Sequence, residues 1–211
     1  LSGTAVHYQA PGLRFLMPVF SCDYRFVEER FMPIRDEIVN WAIWESNFGE
    51  WKPSADEMKG FFTTAGLASP TDQDMQKFQT MGSNVPVQGH STAWCGIFAC
   101  YVLKHWGGLD VWWQAGGSKP GINGGGVKKV YDYRFMRPGD VAVIRGRQMQ
   151  NGNYLWHHFI VTDIDYDSNH LESVDGNSTG NKIVWHTNKQ IRYSGPDANS
   201  NSVCAYYKVP A

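Results

Sequence analysis

No apolar run in this chain approaches the ~18 residues needed to cross a bilayer as a helix, although 42% of its residues are hydrophobic. Nor is there an excess of one charge: 19 Lys and Arg stand against 20 Asp and Glu, for a formal net charge of -1. Electrostatics therefore give no reason to expect a nucleic-acid or membrane partner. Cysteine is scarce. Cys22, Cys95, Cys100 and Cys204 are the full set, and no two are spaced as C-x-x-C, which removes the common zinc patterns. Cys22 and Cys204 lie near opposite ends and can bridge in an oxidising compartment, a pairing that spacing alone does not decide. There is no internal repeat and no low-complexity tract. The chain opens on Leu1, so it reads as an excised piece, and the lack of a signal peptide carries no weight.

Two suggestive stretches also fall short. The glycine-rich "GGSKPGINGGGVKKV" (116–130) has no G-x-x-x-x-G-K-[ST], since Lys128 is followed by a second Lys, and it reads as a surface loop beside a cleft. "DIDYDSNH" sets Asp163, Asp165 and Asp167 at calcium-loop spacing. Ser168 replaces the required glycine, and the twelfth position is Val174 instead of Glu. The expectation there is a polar turn between two strands.

What is present suits a globular α+β domain. Only 18% of the 211 residues are charged, and 14% are aromatic, enough to build a core and in part to line a groove. The first half reads helical. "RFVEERFMPIRDEIVNWAIWESN" carries Phe26, Phe31, Ile34, Ile38, Trp41, Ala42 and Trp44 mostly three and four apart, with a new helical segment starting at Pro33. "SADEMKGFFTTAG" opens with Ser54 and Glu57 in capping-box spacing, and "SPTDQDMQKFQTMG" repeats the pattern of a cap followed by acidic residues. From Trp94 to about Trp106 a helix is expected with two apolar stripes, Ile97/Phe98/Tyr101/Val102/His105 and Gly96/Ala99/Cys100/Leu103. That pattern fits a helix buried between layers. The second half reads as strands: "DVAVIRG", "LWHHFIVTDID", "HLESVDGN", "KIVWHTNKQIRYS" and "VCAYYKV". Helices followed by an antiparallel sheet make the class α+β. The expected organisation is a helical extension over 1–90 packed on a core over 91–211 as one compact unit.

Cys95 stands at the start of the central helix, where the helix dipole favours a thiolate. A cysteine nucleophile also needs a base and an orienting group. "WHHFIVTDID" supplies His157 and His158 at the opening of a strand, and "ESVDGNS" on the next strand supplies Asp175 and Asn177, two apart and so on one face. Cys, then His, then Asp or Asn is the papain-like order. Strand alternation predicts that only one of the paired histidines faces Cys95. Cys100, one turn deeper, reads as structural, and His105 and His186 read as ordinary packed or surface histidines. His157 and His158 point apart with no third ligand evident, so no metal site and no cofactor are expected.

Four blocks, "STAWCGIFACYVLKHWG", "MRPGDVAVI", "HHFIVTDID" and "ESVDGNS", together resemble the signature blocks of the CHAP amidase family within the NlpC-like, papain-like cysteine peptidase superfamily. The resemblance runs from Ser91 to Val209. It implies a papain-like/NlpC-like core, with Cys95 as nucleophile, His157 as base (His158 the alternative), Asp175 orienting the imidazole, and Asn177 either as the orienting group or in support of the site. The backbone N–H of Cys95 would hold the oxyanion, aided by a donor from the preceding loop such as Gln88 or Ser91. Two departures stand out: Phe159 occupies a position that is small in the family, and the histidine is doubled. The implied substrate is peptidoglycan, cut at the glycan–peptide junction or within the stem peptide. An implied setting is an antibacterial effector, secreted or delivered to the periplasm or cell wall of a target bacterium and matched by an immunity protein in the producer. The rival expectations are an inactive module that binds glycan or peptide, and a thiol acyltransferase or deamidase on the same fold.

Overall fold

The computed structural model describes residues 33–81, 85–87, 90–115, 121–148, 154–194 and 201–211. They belong to one compact unit spanning 32–211. Phe26, Phe31, Cys22 and Gln88 lie outside the described residues, and with Cys22 so does the proposed pairing to Cys204.

The helices start where local chemistry lets them. Pro33 immediately precedes α1 (Ile34–Glu45), whose first turn carries Asp36 and Glu37 at the positive end of the dipole. The capping box of α2 (Ala55–Thr64) is present: Ser54 Oγ accepts the Glu57 N–H at 3.2 Å, and Glu57 Oε2 accepts the Ser54 N–H at 2.6 Å. Thr71 caps α3 (Asp72–Met81) in the same reciprocal way with Asp74. The region before residue 91 is not purely helical, however. β1 (Glu50–Trp51) joins the main sheet, and β2 (Val85–Val87) pairs with β3 (His90–Thr92). Strands of two or three residues are too short to leave a period in the sequence, so only their partners reveal them.

After α4 (Cys95–His105) the glycine-rich stretch is likewise more ordered than its composition suggests. β4 (Val111–Gln114) and β5 (Gly121–Gly124) form a hairpin, and β6 (Lys128–Val130) pairs with the final strand, β11 (Val203–Lys208). The four expected strands between them are β7 (Val141–Gln148), β8 (Tyr154–Asp165), β9 (His170–Ser178) and β10 (Lys182–Gln190). Seven strands make one antiparallel sheet in the order β1-β10-β9-β8-β7-β11-β6.

The sheet separates two apolar clusters. On one side α1, α2, α3 and α4 pack with Val141, Val143, Ile160, Val174 and Ile183. On the other lie Met136, Ala142, Phe159, Val161, Leu171 and Tyr206. The alternation along β8, with Ile160 to the first cluster and its two neighbours to the second, is what a sheet buried on both faces requires. α4 packs against β8 and β9 on one side and α1 and α2 on the other, as its two stripes predict. Ile97, Phe98, Val102 and Leu103 are fully buried, each stabilising the fold by roughly 1.5–3 kcal/mol. The approach to β9 is close enough that a Cβ on Gly176 would fall 2.6 Å from the Phe98 side chain. Glycine at 176 lets the strand that carries Asp175 run directly beneath the helix that carries Cys95.

The Pro-Gly-Asp turn before β7 has a structural task. Asp140 is fully buried, pairs with Arg35 at 2.8 Å, and accepts the N–H groups of Arg137 and Val209 at 2.9 and 2.8 Å. One carboxylate thus ties α1, the turn and the end of β11 together. No described helix is long and apolar enough to cross a membrane.

Candidate active site

Cys95 is the first residue of α4 and is buried. The preceding Trp94 packs against Phe61, Phe78 and Phe98 and offers no side-chain cap. The first-turn N–H groups are therefore left without a side-chain acceptor from the cap position, an arrangement that favours an anion beside them. Gly96 follows, and a Cβ there would lie 2.2 Å from the Trp113 ring, so glycine lets the β4 tryptophan close over the helix start.

The sulfur lies against the backbone of β8, 3.8 Å from the Trp156 carbonyl oxygen. This position changes the outcome of the alternation rule. The pleat does separate the paired rings: His158 sits between Trp113 and Tyr207 of the helix-side cluster, while His157 leans on Phe159 of the opposite cluster. Both nevertheless interact with Cys95. His158 Nδ1 is 4.0 Å from Sγ, and hydrogen bonding to His157 is the larger of the two influences that favour the thiolate. The two rings lie on opposite faces of the strand, as alternation predicts, and His158 shares the helix-side face with Cys95, while the sulfur lies close enough to the strand backbone for His157 to act on it as well.

Only His157 is carried further. Its Nε2 meets Asp175 Oδ2 at 2.6 Å. The same oxygen receives Lys189 Nζ at 2.5 Å, and Oδ1 receives Ser173 Oγ at 2.6 Å. Asp175 is buried, so these three donors are what make its charge tolerable. Lys189 also lies 4.2 Å over the Phe159 ring. Phe159 thus supports the cation that fixes the carboxylate. Neither Lys189 nor Ser173 was among the sequence candidates. Ser173 had a legible signal, two residues before Asp175 on the same strand; Lys189 had none, because β10 meets β9 through register shifts.

Asn177 is not joined to this chain of groups. It has a left-handed φ of 56° and lies where the β9–β10 register shifts between Asp175↔Val184 and Ser178↔Lys182. The spacing of two that would align it with Asp175 assumes an unbroken pleat. Its buried Oδ1 has no hydrogen-bond partner, and His157 Nε2 is occupied by Asp175. Ser91 lies on β3 with its side chain outside the described set. His186 contacts Ser178 Oγ at 3.4 Å, and burial holds its ring below the usual imidazole range.

The electrostatics follow from these contacts. Burial pushes the Cys95 thiol up, but hydrogen bonding to His157 and then His158, with their charges, brings it down to about 5. Burial alone lowers His157, yet hydrogen bonding to Asp175 and to Cys95 raises it to about 10. Burial raises Asp175, and the Lys189 charge, followed by the His157 hydrogen bond, outweighs it and holds the carboxyl well below the usual range. Cys100, buried without such partners, is pushed up to about 12. A thiolate–imidazolium pair therefore exists between about pH 5 and pH 10. Iodoacetamide should alkylate Cys95 at a rate that reaches its plateau by about pH 6, with Cys100 unmodified. A rate that rises only above pH 8 would contradict the pairing.

The calcium-spaced acidic residues form a turn. Asp165 accepts from the Asp167 N–H at 3.0 Å and from Ser168 Oγ at 2.6 Å. Among the described residues, one group brings three metal-competent side chains together, Asp163, His170 and Glu172, at the turn end of the β8–β9 pair.

Fold and site together define an α+β protein in which a thiol at a helix start meets an imidazole–carboxylate pair on two neighbouring strands. No family model, curated protein or solved structure matches the chain.

Proposed function

We propose that this protein is a cysteine-dependent peptidoglycan hydrolase with a papain-like, NlpC-like core. The observation that supports it most strongly is the His157–Asp175 pair, 2.6 Å apart on β8 and β9, beside the Cys95 thiol at the start of α4, whose ionisation His157 favours. The four blocks that resemble the CHAP amidase family name the substrate class.

In the proposed reaction the Cys95 thiolate attacks the amide carbonyl carbon, forming a C–S bond, and the oxygen becomes an oxyanion beside the N–H groups of the α4 first turn. His157, as imidazolium, gives its proton to the amide nitrogen, and the C–N bond breaks to release the amine. The neutral His157 then takes a proton from water, whose oxygen attacks the thioester and returns the thiolate. Asp175 keeps the ring in one orientation throughout. The setting we favour is the cell wall or periplasm of a target bacterium, with an immunity protein in the producer.

The test is digestion of purified peptidoglycan followed by mass spectrometry of the soluble products. Fragments carrying newly freed amines and carboxylates are expected, and their masses name the bond cut. Absence of fragments would overturn the wall-hydrolase reading, and products with the acyl group moved to an amine would favour an acyltransferase.

The paired histidines make a separate prediction. His157→Ala should raise the thiol toward its ordinary range and slow Cys95 alkylation at pH 6 by about a hundredfold. His158→Asn should slow it by less than about tenfold, because the ring has no carboxylate behind it. The reverse order would make His158 the base.

A further inference from the structure

We infer that Glu45 and the tryptophans around it form a binding site for an alkylammonium group, such as the head of a lysine side chain. The site sits at the C-terminal ends of α1 and α4. Cys95 opens α4, ten residues before His105, so the two sites are about 15 Å apart along the helix.

Glu45 is nine-tenths buried, and no Lys or Arg among the described residues pairs with it. Its Oε1 is fully engaged, accepting Trp106 Nε1 at 2.8 Å and Tyr101 Oη at 3.2 Å. Among the described residues, both of these bonds fall on Oε1 and no donor is found on Oε2. A buried carboxylate normally has a counter-charge or several charged donors, as Asp140 and Asp175 have in this same fold. Among the described residues Glu45 has two neutral donors, Trp106 and Tyr101. Burial pushes its carboxyl up, and the Glu57 charge adds to that while His105 opposes it weakly.

The surroundings suit a cation. Trp41 stacks on Trp106 with centroids 3.9 Å apart, and Trp44 meets both edge-on at 5.4 and 6.2 Å. Trp44 remains half exposed. Indole faces attract ammonium groups and cover an aliphatic stem, which is how aromatic cages hold such ligands. A carboxylate oxygen without a partner, set among indoles that reach the surface, combines both halves of that recognition.

The experiment titrates the whole protein with N-α-acetyl-lysine methylamide and follows tryptophan emission, with the ε-acetylated form as the neutral control. A saturable change with the lysine probe alone is expected. Glu45→Gln keeps an oxygen acceptor for Trp106 and Tyr101 and should weaken binding at least tenfold. Trp44→Ala, on the exposed wall, should weaken it severalfold without disturbing the fold. An equal response to both probes, or unchanged affinity in Glu45→Gln with its melting temperature preserved, would overturn the assignment. The outcome is independent of Cys95 and of the hydrolase reading.

Discussion

Cys95→Ala is expected to release no peptidoglycan fragments above background, a loss of at least about 10³-fold in rate. The substitution removes one sulfur atom from a buried position, so stability should change by no more than about 1 kcal/mol. The contrast between lost activity and preserved stability is what separates a nucleophile from a core filler. Cys95→Ser sharpens it. The hydroxyl fits the space, but hydrogen bonding to His157 cannot ionise a serine as it does the thiol, so this variant should be equally inactive. Melting curves for all three proteins, with product masses from the same digests, provide the check. Residual activity in Cys95→Ala would sink the proposed chemistry at its first step.

The second large effect is at Asp175, where the proposed function and the fold draw on the same carboxylate. Asp175→Ala leaves Lys189 without its partner in a largely buried position. Breaking a buried pair from one side costs about 3 kcal/mol, which for a domain of this size lowers the melting temperature by roughly 10 °C. His157 loses the interaction that holds it protonated, so activity should fall about 10² to 10⁴-fold. Asp175→Asn keeps the volume and one acceptor; it should recover part of the stability and little of the activity. A melting curve and a single-time-point digestion would distinguish the two, and full activity in Asp175→Asn would show that the relay ends at His157.

The same groups set the direction of pH dependence. Asp175 is held below its ordinary value, so its contribution to stability is present above about pH 4 and lost as pH falls through the depressed value. His157 is held above its ordinary value, at about 10. Its contribution is complete below about pH 6.5 and lost as pH rises toward 10. Both contributions are complete together only between about pH 4 and pH 6.5, and the His157 contribution declines over the rest of the window in which the thiolate–imidazolium pair exists.

Much of this is legible in the sequence. Ser54 and Glu57 announce a helix start because a capping box is a local hydrogen-bonding pattern. The strands β7 to β11 show in runs of β-branched and aromatic residues, and Cys95, His157 and Asp175 stand in a recognisable order. The glycine-rich stretch after α4 was not legible, since β4 and β5 owe their strand conformation to each other and carry no alternating pattern of their own.

The sequence by itself determined the class, α+β, the placement of the thiol at a helix N-terminus, and the residue types available to it. Those depend on interactions within a few residues along the chain. Only the tertiary structure decided how the paired histidines are used, that Lys189 and Ser173 complete the carboxylate's surroundings, and that Asn177 stands apart from them. Each of these depends on register between strands and on how closely α4 approaches β8 and β9, distances of a few ångström between residues far apart in the chain. A one-residue shift at the β9–β10 irregularity is enough to separate Asn177 from its neighbour, and nothing in the local sequence states where that shift falls.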